Sequence, residues 1–103
     1  MKFKRKGIFY VYIVECADGT FYTGYTLDLE KRINLHNNAK GAKYTRGRRP
    51  VTLVWKKEYR QFKSAFKTES VIKKLTRMQK KALVKGRKLN QVLLDARKRE
   101  KRR

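Results

Sequence analysis

The chain has 103 residues, of which 30 are Lys or Arg and 8 are Asp or Glu, giving a formal net charge of +22. This length suits one domain with one modest core. A chain this basic repels itself until it meets an anionic partner. The basic residues alternate with aromatic ones instead of lying on one amphipathic helix, which favours nucleic acid over an anionic membrane or polyphosphate as that partner.

Cys16 is the only cysteine, which excludes an intramolecular disulfide. The apolar run at residues 8–14 is too short to span a bilayer, and the basic residues 1–6 lack the apolar stretch of a signal peptide. We therefore expect a soluble cytoplasmic protein without a membrane partner. Its oligomeric state is left open, with a monomer as one possibility.

The first half of the chain predicts three strands and a helix. Residues 8–14 are typical of a strand buried on both faces, and residues 21–26 of its hairpin partner. Asp28 is suited to cap the helix that follows. Residues 39–50 are rich in Gly, Lys and Arg and indicate a basic loop, after which residues 51–55 predict the third strand.

The second half predicts three helices, the first over residues 62–75. Thr76 and Gln79 have the spacing of a capping box and would start a short helix that ends at Gly86. We expect the domain to end there, and residues 87–103 to form a basic C-terminal helix that frays into a tail. The predicted order is ββ-α-β-α-α, an α+β domain on a small sheet.

Two predicted helices carry charged or polar side chains on the face that should enter the core. The stripe of Leu29 and Ile33 also contains Arg32 and His36, and Glu69 lies on the apolar stripe of the next helix. A buried carboxylate needs a partner or a metal ion. Arg32 and Glu69 could pair across the core, or both could reach water at its margin. Because both helices show the anomaly, we favour a shared functional site.

Tyr12 and Tyr22 can join that site only if the hairpin register puts them on one face of the sheet. This requires paired residues whose numbers have an even sum. A two-residue turn at Asp18-Gly19 would give odd sums. We therefore predict a three- or five-residue loop with a bulged turn through residues 18–20.

The ordered set of residues resembles the GIY-YIG nucleases. Tyr10-Val11-Tyr12 stands where that family has Gly-Ile-Tyr, and Tyr22-Thr23-Gly24 stands where it has Tyr-Ile-Gly. The segment 41–51 resembles the short stand-alone branch of the family and the catalytic domain of structure-selective junction nucleases. Further matches are Arg32, His36 and Glu69, so the resemblance spans about residues 9–84.

The resemblance implies a three-stranded antiparallel sheet flanked by helices, and hydrolysis of phosphodiester bonds with one divalent metal ion. We expect an endonuclease that acts on DNA, with duplex, single-stranded, branched and RNA substrates left open. Glu69 would hold one Mg²⁺ or Mn²⁺ ion. Arg32 would stabilise charge on the phosphoryl oxygens. Tyr12 is the first choice of general base and His36 the alternative, with Tyr22 positioning the water. A phenol has a pKa of about 10, so cations such as Arg32 would have to lower the pKa of Tyr12.

The basic loop would supply the nucleic-acid contacts, with cationic side chains on phosphates and Tyr44 stacking on an unpaired base. The predicted binding set is Lys43, Tyr44, Thr45, Arg46, Arg48 and Arg49. Gly24 is expected either to bring backbone close to the site or to mark a bulge. The main rival interpretation is a basic protein that binds nucleic acid on the same scaffold without cutting it.

Overall fold

The computed structural model describes residues 7–101. The basic start and the last two residues of the predicted tail lie outside that range. In chain order the elements are β1 (Phe9–Glu15), β2 (Phe21–Thr26), α1 (Leu29–Asn37), α2 (Lys43–Arg46), β3 (Thr52–Tyr59), α3 (Phe62–Lys73), α4 (Arg77–Val84) and α5 (Leu89–Lys101). The predicted α+β class is confirmed.

The three strands form an antiparallel sheet in the order β2-β1-β3, so β1 is central. Tyr12 pairs with Gly24, and Val14 pairs with Tyr22. The residue numbers of each pair add to an even number, as predicted, so Tyr12 and Tyr22 lie on one face of the sheet. The ladder ends where Glu15 pairs with Phe21, which leaves five residues in the loop, one of the two predicted lengths.

The two faces of the sheet carry separate apolar clusters. Alternate residues of β1 pack against α3, α4 and α5, in a cluster whose buried members include Phe9, Val11, Ile13, Ala65, Ile72, Leu83 and Val92. The residues between them form the second cluster with α1, which contains Tyr12, Val14, Cys16 and Val51 together with Tyr22, Leu29, Ile33 and Leu53. Tyr12 therefore lies on the face of the sheet opposite α4 and α5.

α1 and α4 begin at the predicted capping residues. The Asp28 side chain accepts a hydrogen bond of 3.1 Å from the Lys31 N–H. Thr76 and Gln79 form the reciprocal capping box at the start of α4. Each cap satisfies N–H groups that have no partner within the helix. Gly86, with a φ of +110°, follows α4 in the left-handed region that glycine adopts most readily.

Several predicted boundaries are wrong. β3 continues to Tyr59, because Lys56, Lys57 and Glu58 pair with β1 although they face solvent. The short helix α2 lies inside the segment expected to be a loop. α5 buries Val92 in the first cluster, while the predicted domain boundary at residue 86 stays a prediction. Within residues 7–101, no helix is both long and apolar enough to cross a membrane.

Candidate active site

A buried tyrosine–histidine pair forms the centre of the candidate site. Tyr12 on β1 and His36 in the last turn of α1 are both 0% exposed. Tyr12 Oη and His36 Nε2 are 2.9 Å apart, within hydrogen-bond distance. Tyr12 comes from the face of β1 that carries the even-numbered residues, and His36 comes from the face of α1 that also carries Ile33. The sequence anomaly on α1 is thus a polar contact inside the second apolar cluster.

Thr45 contacts the second ring nitrogen of His36 and so bears on which nitrogen carries the proton. The Thr45 hydroxyl donates its only hydrogen to the Ala42 carbonyl oxygen at 3.0 Å. The tautomer that satisfies both contacts of this hydroxyl, including the one of 2.8 Å to His36 Nδ1, is the one with the proton on Nδ1. In a neutral ring Nε2 then has the lone pair, and the Tyr12 hydroxyl donates to it.

Arg32 is the third member of the cluster. Its Nε–H donates to Tyr12 Oη at 3.2 Å, and the half-buried guanidinium also interacts with the Tyr22 side chain. The cluster is therefore a continuous chain of hydrogen bonds from Arg32 through Tyr12 and His36 to Thr45. Two of the three predicted helix-borne residues, Arg32 and His36, are brought together with Tyr12.

The electrostatic environment keeps both His36 and Tyr12 neutral. Burial, and then the charge of Arg32, lower the pKa of His36 to about 4. Burial raises the pKa of Tyr12 above its ordinary value, although the hydrogen bond and the charge of Arg32 act in the opposite direction. The expectation that cations would lower the pKa of Tyr12 is wrong, because loss of hydration outweighs one guanidinium.

Two glycines make room for the paired rings. A Cβ atom at Gly24 would lie 2.6 Å from Tyr12 Oη and 2.8 Å from Tyr12 Cζ. A Cβ atom at Gly41 would lie 2.8 Å from both the Cα and the Cγ of His36. Gly24 thus lets the Tyr12 ring cross over β2, in a regular ladder position and not at a bulge. Sequence reasoning gave Gly41 no role, and no periodic pattern marks it.

Tyr22 connects the cluster to the surface. Its ring meets His36 edge-on, with centroids 5.3 Å apart, and stacks on Tyr44 at 5.9 Å. The Arg48 guanidinium lies 4.0 Å above the Tyr44 ring and also pairs with Asp18 at 2.9 Å. A nucleic-acid base that stacked on Tyr44 would therefore have to compete with Arg48 or Tyr22.

The other predicted nucleic-acid residues lie on and after α2, beside the site. Lys43, Arg46 and Arg49 are exposed, and Arg49 donates to the Arg46 carbonyl oxygen at 2.9 Å. A cavity of about 440 Å³ lies between Arg46, Arg49 and Asn37. Thr45 differs from the rest of the predicted set, because it is 0% exposed and faces His36 instead of solvent.

Glu69 stands apart from the hydrogen-bonded cluster. It is 8% exposed on α3, which packs on the opposite face of the sheet, and its carboxylate lies 3.3 Å from Lys73 Nζ. Arg32 and Glu69 form no ion pair in the described part of the chain, so they do not pair across the core. Burial is the main cause of the raised Tyr12 pKa, and the charge of Glu69 adds to it, so the carboxylate is within electrostatic range.

The donor chemistry of Glu69 fits a hard divalent cation. Among the described residues, no three His, Cys, Asp or Glu side chains lie close enough together to hold a metal ion. Mg²⁺ often binds through one or two carboxylates, keeping several waters and taking substrate phosphate oxygens as further ligands. A single buried carboxylate with one half-exposed lysine partner suits that mode, provided that Lys73 moves aside.

Comparisons with known proteins show which family the chain belongs to. A sequence model of the GIY-YIG catalytic domain matches residues 8–82. A UPF0213 protein of Streptococcus agalactiae is 45% identical over 82 residues, covering 80% of this chain and 93% of that protein. A UPF0213 protein of Halobacterium salinarum is 51% identical over 74 residues, covering 72% of this chain and 96% of the other.

Two solution NMR structures share the fold. The UPF0213 protein of Bacillus halodurans has a TM-score of 0.51 and 47% identity, covering 76% of this chain and 83% of that one. A protein of E. faecalis has a TM-score of 0.53 and 40% identity, covering 82% and 88%. The matched span includes β1, β2, α1 and Glu69. The chain therefore belongs to the GIY-YIG nuclease family, in its small stand-alone UPF0213 branch.

Proposed function

We propose that this chain is a metal-dependent endonuclease that hydrolyses phosphodiester bonds in DNA. The observation that supports this most strongly is the buried chain of hydrogen bonds from Arg32 through Tyr12 and His36 to Thr45. Burying polar side chains is unfavourable unless every group is paired, and an apolar cluster would stabilise the fold more simply. A protein that only bound nucleic acid would not need such a chain in its interior.

The chain of hydrogen bonds can carry a proton away from an attacking water. The water would give a proton to Tyr12 Oη while Tyr12 gives its own proton to His36 Nε2. The water oxygen bonds to phosphorus, the bond from phosphorus to the leaving oxygen breaks, and that oxygen takes a proton from solvent. Because burial raises the pKa of Tyr12, a relay is more favourable than a preformed phenolate. His36, with a pKa of about 4, is free to accept at neutral pH.

The remaining roles follow from charge and exposure. Arg32 and Tyr22 are half-buried, whereas Tyr12 and His36 are enclosed, so the substrate must reach Tyr12 past those two side chains. Arg32 would meet the phosphoryl oxygens and stabilise the charge that develops on them. Glu69 lies outside the hydrogen-bonded cluster but within electrostatic range of Tyr12, and it would hold Mg²⁺ or Mn²⁺. When bound, that ion supplies positive charge to the phosphoryl and leaving oxygens.

The α2 segment would hold the DNA backbone next to this site. Lys43, Arg46 and Arg49 are exposed, and the cavity between Arg46 and Arg49 is open to a phosphate. Such contacts position a strand without selecting a sequence. Thr45, on the same short helix, holds His36. The basic segment and the catalytic histidine are therefore joined through one element.

The test is cleavage of end-labelled duplex, single-stranded and branched DNA with Mg²⁺, Mn²⁺ or EDTA, with binding measured in the same samples. We expect cutting that needs the metal and is lost in Glu69→Gln, while binding persists. Glu58→Gln is the matched control, since Glu58 is an exposed carboxylate on β3. Tight binding without metal-dependent cutting of any substrate would contradict the proposal and favour a non-cutting nucleic-acid binder.

A second comparison assigns the proton acceptor. Tyr12→Phe keeps the ring but removes the hydroxyl that links water to His36. We expect the rate to fall by about 10²–10⁴-fold, the usual contribution of a positioned acid or base. A Tyr12→Phe protein that cut at the full rate would show that His36 acts without Tyr12.

A further inference from the structure

A cavity of about 670 Å³ lies between the edge strand β3 and the corner where α4 meets α5. Its apolar lining includes the Trp55 indole and the side chains of Leu83, Leu89 and Leu93. Trp55 pairs with Ile13 and packs with the first apolar cluster. The cavity therefore lies on the face opposite Tyr12, and no residue of the proposed active site lines it.

The rim of this cavity is cationic. Lys56, Lys57, Arg87 and Lys88 line it, and no carboxylate does among the residues that the structure describes. Arg87 is partly neutralised, because its guanidinium pairs with Asp95 at 2.6 Å. Lys57 and Lys88 form no ion pair within the described side chains. An occupant that brings negative charge to these two lysines is therefore favoured over a neutral or cationic one.

We propose that this cavity binds an unpaired nucleotide of a nucleic-acid strand, with the base against Trp55 and the phosphates near Lys57 and Lys88. The half-buried indole offers a flat apolar surface of the kind on which bases stack regardless of sequence. Cations on two elements at the rim match the negative charge that each nucleotide carries.

A strand fits the surroundings better than a free nucleotide does. The positive charge is spread along the cavity and continues on α5 with the exposed Arg97 and Lys98. A free nucleotide needs its charges gathered at one point, whereas a spread of cations suits a polyanion. Only the choice of nucleic acid as the polyanion rests on the proposed function, and no cleavage is required.

The occupant would be a different stretch of nucleic acid from the one at Tyr12, because Trp55 and Tyr12 are on opposite faces of the sheet and no proposed active-site residue lines the cavity. A strand that entered both would have to pass around the edge of the sheet. Alternatively, two segments of one branched molecule could occupy them. Either way, the bound nucleic acid must contain unpaired nucleotides for the cavity to fill.

Trp55 is the only tryptophan in the chain, so its fluorescence reports on this cavity alone. The experiment titrates the full chain with a short oligothymidylate in EDTA, following tryptophan emission and the anisotropy of a labelled oligonucleotide. We expect a saturable emission change. Lys57→Gln/Lys88→Gln should weaken the binding reported by emission by about tenfold and lower its salt dependence by about 0.7 per lost phosphate contact. Lys31→Gln/Lys40→Gln, which removes two exposed lysines elsewhere, should keep the emission change.

Three results would overturn the proposal. Unchanged emission when anisotropy shows saturation would mean that the strand binds elsewhere. Equal affinity for adenosine monophosphate would make this a small-nucleotide site. An emission change with polyglutamate but none with oligothymidylate would make it a site for acidic protein. Because the titration is run without metal, it measures binding alone. A protein that failed to cut DNA could therefore still bind the oligonucleotide in this cavity.

Discussion

Replacing Thr45 with Val tests whether this hydroxyl sets the protonation of His36. Val is nearly the same size but cannot accept the hydrogen bond from Nδ1, which is 2.8 Å long. The Nδ1–H would then be buried without a partner. The ring can avoid this by moving its proton to Nε2, but the Tyr12 hydroxyl, 2.9 Å away, then faces another donor. Both outcomes remove or weaken the acceptor for the Tyr12 proton.

The size of the effect follows from burial. Thr45 and His36 are both 0% exposed, so water cannot replace the lost bond. A buried unpaired donor lowers the free energy of unfolding by about 1–3 kcal/mol. Partners that orient a metal-bound histidine through its second nitrogen typically contribute about 10–100-fold to activity, and we apply the same range to His36. We expect losses in these ranges for Thr45→Val, and near-complete recovery for Thr45→Ser, which keeps the hydroxyl.

Three measurements separate a positioning role from a merely structural one. Urea unfolding gives the stability and DNA cleavage gives the rate. Nitrogen NMR gives the tautomer directly, because His36 is the only histidine in the chain. The wild type should be protonated at Nδ1, and Thr45→Val should populate the other tautomer. A Thr45→Val protein that kept the Nδ1 proton and the full cleavage rate would show that Thr45 does not set the protonation of His36.

Three more predictions concern packing, pH and capping. Gly24→Ala puts a Cβ 2.6 Å from the enclosed Tyr12 Oη. Urea unfolding should show a free energy of unfolding lower by about 1–3 kcal/mol, and the cleavage rate should fall. Unchanged stability and rate would mean that Tyr12 can move aside. The His36 pKa of about 4 lies below its ordinary 6.5, so the unfolded chain takes up the proton first. The free energy of unfolding should therefore fall by roughly 3 kcal/mol as the pH drops from about 6.5 to about 4. His36→Asn should lack this part of the fall, and an equal fall in that variant would exclude His36 as the cause. Thr76→Ala should lose about 1 kcal/mol in urea unfolding without changing the cleavage rate, and any rate change would link α4 to the site.

Much of the fold could be predicted because local rules and the hydrophobic pattern agree. The capping signals of Asp28 and Thr76 act within one helical turn, so they need no knowledge of the rest of the chain. The even register of the hairpin followed from requiring Tyr12 and Tyr22 to share a face. The end of β3 was missed for the converse reason, since Lys56–Glu58 carry no apolar alternation that could mark a strand.

The sequence predicted that Arg32 and His36 lie with Tyr12, but not how these side chains are hydrogen-bonded to one another. The misplaced polarity of α1 identified Arg32 and His36, because binary patterning fails where function needs a polar group inside. Thr45 and Gly41 could not be given their roles, since both depend on how the segment after α1 folds back over His36. The direction of the Tyr12 pKa was also wrong, because sequence shows nearby cations but does not show how completely a side chain loses water.

The resting charges of the site suggest how substrate would activate it. With His36 and Tyr12 both neutral, Arg32 is the charge beside them, and it opposes protonation of His36. A bound phosphate would offset that guanidinium, so the pKa of His36 should rise and Tyr12 could pass its proton on more easily. The same anion would oppose a free phenolate at Tyr12, which again favours the relay. Nitrogen NMR of His36 with a phosphorothioate oligonucleotide that resists cutting should show the rise, and a His36 pKa unchanged by saturating oligonucleotide would mean that the phosphate does not approach Arg32.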